Sequence, residues 1–246
     1  MVTNSLIITG GTANYSAHIN VLLSSLVHAN PNSNLIVGCF DWNDDLIKSF
    51  EDVYDAEFIK ISGNDNLKTD VENNNRSGDA LKMKIKFIHD VFKNNDHNGV
   101  LWIDADTTVT KSLEPLLTSL ESGEYDVMCT HRSHRKKLHT IFATGVLGFS
   151  KTDLGKQFIT EFNESMAPTE GLDDWFHDQI EFYNIFNKLT PQLYALSKDE
   201  HTIKGDENAM IYSRREVIDL TPNDVANLHN IPVHHIVNLP ESIYPV

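Results

Sequence analysis

Positive charge is scarce in this chain of 246 residues: 20 Lys and Arg face 35 Asp and Glu, a net charge of −15. That balance argues against broad electrostatic attachment to nucleic acid or anionic lipid. Long apolar runs are missing too. No stretch of 18 apolar residues exists, so no helix is expected to span a membrane. The first eight residues lack the charged start and long apolar stretch of a secretion signal and read as a first strand. Cysteine is nearly absent. Cys39 and Cys129 lie in apolar strand-like runs with no zinc-type spacing, so reduced, buried thiols and a cytoplasmic protein are expected. Repeats, low-complexity linkers and composition breaks are absent as well, and 40% hydrophobic content supports one domain over residues 1–246.

What is present reads as alternating strands and helices. Residues 5–9 form an apolar run ending in Gly10-Gly11, the pattern of a strand entering a tight turn. From Ser16 to Asn30, Ile19, Leu22, Leu23, Leu26 and Val27 share one helical face, and Asn30-Pro31 stops it. Strands are expected over 35–40 and 57–61, and a loop over 62–78. A helix over about 79–92 buries Leu81, Ile85, Ile88 and Phe92, with Lys82, Lys84 and Lys86 on its exposed side and borders. After the strand at 99–106 come a short helix or turn at 111–117, a strand at 126–130 and an apolar run at 141–150. Thr152 is placed to cap a helix burying Leu154, Phe158 and Phe162, and Asp173 another with Phe176, Ile180 and Tyr183 on one side. Short strands are expected at 193–196, 210–212 and 217–220. Strand–helix–strand units with short connections predict an α/β fold with a mostly parallel sheet flanked by helices.

Residues 99–106 carry the chemistry. The apolar Val100-Leu101-Trp102-Ile103 ends in Asp104 and Asp106, one residue apart. Strand alternation points both carboxylates the same way at a strand C-terminus, where open α/β sheets bind ligands. Two converging hard oxygen donors suit Mg²⁺ or Mn²⁺ and, through the metal, a diphosphate. Random placement of the 21 aspartates would give about two Asp-x-Asp matches, so position after a buried strand is what gives this single match weight. Arg76, Lys82 and Lys86, in the loop and helix before it, are candidates to reach the diphosphate. Thr9-Gly10-Gly11 starts like a dinucleotide fingerprint but no further glycine follows in the turn.

Three blocks taken together resemble a Rossmann-like GT-A-fold glycosyltransferase carrying an Asp-x-Asp motif. They are residues 7–9 with the following helix and second strand, residues 100–107 with the 111–117 turn, and residues 143–149 followed by 175–179. The closing Asp178-Gln179 is similar to an element of retaining enzymes related to glycogenin and to bacterial galactosyltransferases. The resemblance implies a sugar moved from a nucleoside-diphosphate donor to a hydroxyl acceptor with Mn²⁺ or Mg²⁺. Thr9, Gly10, Gly11, Thr12 and Tyr15 would hold the nucleoside. Asp104, Ala105, Asp106 and Gly145 would contact the rest of the donor, and Asp104 and Asp106 would hold the metal, Asp106 foremost as a direct ligand. Asp178 and Gln179 would be catalytic, Asp178 as acceptor base if the enzyme inverts and as stabiliser of the sugar cation if it retains. Residues 131–139, the one basic run, lie where such enzymes build acceptor contacts. The late His-x-x-Gly-x-x-Lys-Pro setting of that family is absent, which leaves His201, His229, His234 and His235 as late candidates, His229 and His234 being taken as metal ligands. A nucleotide-binding half at about 1–110 and an acceptor half at about 111–246 are expected. A sugar-phosphate nucleotidyltransferase or a non-catalytic nucleotide-sugar-binding module are the alternatives.

Overall fold

Strand β1 (Ser5–Thr12) pairs in parallel with β2 (Asn34–Phe40) on one side and with β4 (Gly99–Ile103) on the other, and β3 (Glu57–Ile61) extends the sheet beyond β2. These contacts come from a computed structural model that describes residues 4–62, 78–132, 134–137, 140–166, 176–202 and 209–213. The seven strands run in the order β3-β2-β1-β4-β7-β6-β8, where β6 is Val127–His131, β7 is Phe142–Ser150 and β8 is Leu193–Ala195. Only β7 is reversed, lying antiparallel to both β4 and β6. A second, three-stranded sheet joins β5 (Thr107–Val109), β10 (Ile211–Ser213) and β9 (His201–Thr202).

Period-two alternation sends each strand's side chains to two cores. Ile7, Leu101 and Ile103 pack against α1 (Ser16–Ala29), α2 (Asp44–Glu51) and α4 (Glu114–Ser122). Leu6, Ile8, Val100 and Trp102 pack against α3 (Gly78–Asn94), α5 (Asp153–Ser165) and α6 (His177–Leu189). Both faces are covered, which is why the central strands read as continuous apolar runs. Phe182 of α6 meets Phe142, Phe158 and Phe162 at ring-centroid distances of 5.1, 4.8 and 5.7 Å. Each such buried ring contributes about 2–3 kcal/mol, and together they seat α6 on the sheet.

Several expectations are corrected. Gly10 and Gly11 lie inside β1, not in a turn after it, because pairing continues to Thr12 opposite Phe40. Gly10 is there for close strand approach: a Cβ would stand 2.7 Å from the Gly38 carbonyl oxygen. Strand β4 ends at Ile103, so a turn, not strand alternation, aims Asp104 and Asp106. Helix α2 was not expected. Its Asn43 side chain caps Leu46 N–H at 2.8 Å and it buries Leu46, Ile47 and Phe50, but eight residues give too little periodicity to stand out. Thr152 does cap α5, with its hydroxyl accepting from Gly155 N–H, yet Leu154 is exposed. In α6 the buried residues are Asp178, Phe182 and Ile185, while Ile180 and Tyr183 are half-buried flanks. Asp173, Trp175 and the strand expected at 217–220 lie outside the described residues.

One irregularity shapes the site. In the β6–β7 pairing Cys129 faces Leu147 but Thr130 faces Ala143, so residues 144–146 bulge out of that ladder. Bulges re-aim side chains, and here they free Thr144 and Gly145 to meet β4 and its neighbours.

Candidate active site

A cavity of about 430 Å³ opens at the C-terminal ends of β1, β4 and β6 and the start of β7. Gly10, Gly11, Thr12 and Tyr15 line one end, and Asp104, Ala105 and Asp106 the middle. Thr144, Gly145, Asp178, Gln179 and His201 surround the far side with Arg132 and Arg135. Asp104 is fixed on its backbone by N–H donation to Gly145 O at 2.8 Å, and its carbonyl accepts from Thr107 Oγ1 at 2.7 Å. The β4–β7 ladder thus continues one residue into the turn. Trp102 Nε1 donates to Asp104 Oδ1 at 2.6 Å and orients the carboxylate.

Lys84 is the centre of this arrangement. It rises from α3 with 6% of its surface exposed, donates to Thr144 O at 2.8 Å, and places Nζ 2.9 Å from Asp104 Oδ1 and 3.6 Å from Asp178 Oδ2. Burial alone would lower its pKa, but the carboxylates of Asp104, Asp178 and Asp106 outweigh it and hold it above the ordinary lysine value. Asp178 is 2% exposed and also accepts from Thr144 Oγ1 at 2.6 Å. Burial pushes its carboxyl up, and the shared Lys84 and the Thr144 hydroxyl only partly offset that, because the lysine stands closer to Asp104. Three carboxylates thus share the one ammonium at the middle of the cavity, while Arg132 and Arg135 stand at its far side. The chemistry of these oxygen donors fits a divalent cation at Asp104 and Asp106. Among the described residues no group of three or more His, Cys, Asp or Glu is placed to hold a metal ion.

The model of glycosyl transferase family 8 matches residues 6–216. The chain belongs to that family. It is thus a glycosyltransferase, and its sheet and flanking helices are the GT-A fold. No curated protein sequence matches it. Similar solved structures include the galactosyltransferase LgtC in complex with donor and acceptor sugar analogues, at TM-score 0.63 and 14% identity over 96% of this chain and 98% of that one. The apo glycosyltransferase GlyE of Streptococcus pneumoniae TIGR4 matches at 0.60 and 16% over 87% and 55%, and the bifunctional glycosyltransferase WbbM at 0.61 and 15% over 95% and 51%. At these identities the likeness is one of fold.

In this glycosyltransferase the cavity brings together ten of the expected residues: Gly10, Gly11, Thr12, Tyr15, Asp104, Ala105, Asp106, Gly145, Asp178 and Gln179. Thr9 does not join them. It is fully buried in β1, since the strand runs three residues further than expected. Lys82 is half-buried on the flank of α3 outside the cavity lining. Lys86 is exposed and pairs with Asp90 one turn along the helix. The lysine that reaches the site is Lys84, which stands three residues after Leu81 and four before Ile88, on the apolar stripe. That spacing was the available signal for it. Arg76, His229, His234 and His235 lie outside the described residues.

His201, in β9, is 2% exposed, and its Nδ1 bonds to Thr130 Oγ1. Burial, with the Arg132 charge adding to it, lowers its pKa to about 4. The unfolded histidine protonates near pH 6.5, about where the folded one stays neutral, so the unfolded chain takes up the extra proton between those values. Stability therefore falls as pH drops from 6.5 towards 4, by about 3 kcal/mol from this group. A His201→Gln variant, which keeps a partner for Thr130, is expected to lose that part of the fall in thermal midpoint. Parallel midpoint-against-pH curves for the two proteins would contradict the assignment. The thiols are inert by comparison: both are free and buried, and burial pushes Cys39 up to about 12.

Proposed function

We propose that this glycosyltransferase moves a sugar from a nucleoside-diphosphate donor to a hydroxyl acceptor, with Mn²⁺ or Mg²⁺ and with retention of configuration. The observation that carries this reading is the Lys84 bridge between Asp104 and Asp178 in one cavity. It couples the carboxylate pair suited to a metal with the carboxylate suited to the reacting sugar. Gly10, Gly11, Thr12 and Tyr15 take the nucleoside, and residues 1–110 thereby form the donor half and 111–246 the acceptor half. Asp104 and Asp106 would hold the cation, which would supply Lewis-acid neutralisation of the charge on the leaving diphosphate. His229, His234 or His235 is proposed as a further ligand.

Retention is favoured by how Asp178 is held. A base that deprotonates the acceptor must meet it, yet Asp178 is 2% exposed and its Oδ2 is shared by Thr144 and Lys84. Such a carboxylate is better placed to stabilise positive charge on the anomeric carbon. Lys84 keeps it in place, and Gln179 offers its amide to the sugar. The anomeric carbon–oxygen bond then breaks with its electron pair leaving on the β-phosphate oxygen. The acceptor oxygen bonds to the same face and passes its proton to that phosphate. No described helix is long and apolar enough to cross a membrane, and the two free buried thiols favour a cytoplasmic site for the reaction.

Incubation with a panel of nucleotide sugars, Mn²⁺ and simple glycosides is expected to release nucleoside diphosphate and give a product whose anomeric configuration, read by NMR, matches the donor. Inversion in the product would remove the retaining assignment. Release of pyrophosphate from a nucleoside triphosphate and sugar phosphate would make the protein a nucleotidyltransferase, and donor binding without turnover a binding module.

A further inference from the structure

The cavity's far end carries a cluster of bases that the donor reading does not use. Between Asp126 and Asp153 the chain has no acidic residue, although acids outnumber bases 35 to 20 overall. Within that stretch Arg132, His134, Arg135, Lys136 and Lys137 follow the end of β6, and both arginines line the cavity. Arg132 is half-buried and anchored, with Nη2 donating to Phe142 O at 3.1 Å and to Gln179 Oε1 at 3.3 Å. A turn closed by Arg135 N–H donation to Arg132 O at 2.9 Å keeps the two residues close in the backbone, and both line the same cavity. Arg135 is exposed, and no carboxylate among the described residues pairs with it.

Strand order decides which substrate they face. The nucleoside end of the cavity belongs to β1 and the Asp104–Asp106 turn to its neighbour β4, one strand spacing away at about 5 Å. Arg132 follows β6, two strands beyond β4 on the opposite side, about 10 Å further along the same edge. A diphosphate held between β1 and β4 would leave the transferred sugar near Asp178 and Gln179, and Arg132, bonded to Gln179 Oε1, stands at that side of the cavity, away from the nucleoside end. Phe176 also lines the cavity, and an aromatic ring there suits a sugar.

Resting on the transfer reading above, we propose that Arg132 and Arg135 bind an anionic group, a phosphate or a carboxylate, carried by the acceptor. Guanidinium groups suit both, through paired N–H donors. In a protein of net charge −15 an anionic acceptor needs such a local reversal of sign to approach.

The test is a titration with the donor half filled by uridine or guanosine diphosphate and Mn²⁺. Glucose 6-phosphate, glucuronate and glucose are compared by ligand-observed NMR. One or both anions are expected to bind about tenfold or more tightly than glucose, and the better of the two names the anionic group. Arg135→Gln, on the exposed turn, and Arg132→Gln are expected to erase most of that preference while nucleoside diphosphate affinity changes less than about twofold. Equal binding of all three sugars overturns the proposal. So does a loss confined to nucleoside diphosphate affinity, which would assign the arginines to the donor. If neither diphosphate binds the parent protein, the donor reading fails by itself, and the sugar titration without nucleotide still decides the arginines.

Discussion

Changing Asp104 and Asp106 together to asparagine is expected to lower kcat/KM by about a thousandfold or more, because a divalent cation contributes several kcal/mol to stabilising a leaving diphosphate. The variant is expected to fold. Asparagine keeps an oxygen for the Trp102 Nε1 and Lys84 donors that now meet Asp104 Oδ1, and the backbone bond to Gly145 is untouched. The informative measurement is nucleoside diphosphate affinity with and without Mn²⁺. The parent protein is expected to bind more tightly with metal, and the double variant equally with or without it. Metal-enhanced binding that survives in the variant would move the cation elsewhere.

Lys84→Met carries the largest expected effect on stability. Removing one partner of a buried ion pair strands the others, at a cost of about 3–5 kcal/mol. Here Asp178 would be left 2% exposed with only the Thr144 hydroxyl and the Gln179 backbone to support its charge. Two results would mark this cause apart from simple loss of packing. Adding Asp178→Asn to Lys84→Met is expected to restore much of the stability, a non-additivity that only coupled groups show. The deficit of the single variant should also shrink on acidification. Asp178 is already raised by burial in the parent, and without the lysine it rises further, so the folded chain binds a proton that the unfolded chain releases. Stability from that protonated carboxyl is present at low pH and lost as pH rises through the folded value. With the role proposed for Asp178, activity is expected not to return in either case. Additive melting temperatures with no pH dependence would reduce Lys84 to a packing role.

The carboxylate pair could be found from local features, and Lys84 only in part. Val100 to Ile103 is apolar on both faces because β4 lies between two covered cores, and Asp104 and Asp106 interrupt that run where the strand stops. Their context needed no tertiary information. Lys84 left a signal as well, at i+3 from Leu81, but a lysine on an apolar stripe reads as a border residue until its counter-charges are known. Those counter-charges come from β4 and α6, and its carbonyl partner Thr144 from β7, 60 residues along the chain. Thr9 shows the opposite error: the Gly10-Gly11 pair looks like a turn, and only pairing with β2 up to Phe40 shows that the strand continues through it.

Sequence alone determined the alternation of strands and helices, the buried strand ahead of Asp104 and Asp106, and the basic run after β6, because periodicity, apolar runs and charge clusters are local properties. Tertiary structure decided which of three lysines turns inward, how deeply Asp178 is buried, and that Arg132 lies beside Gln179. Those outcomes depend on the reversed strand β7 and its bulge at residues 144–146, which bring together groups far apart in the chain. Electrostatic neighbours act through space, and no pattern along the chain specifies their distances.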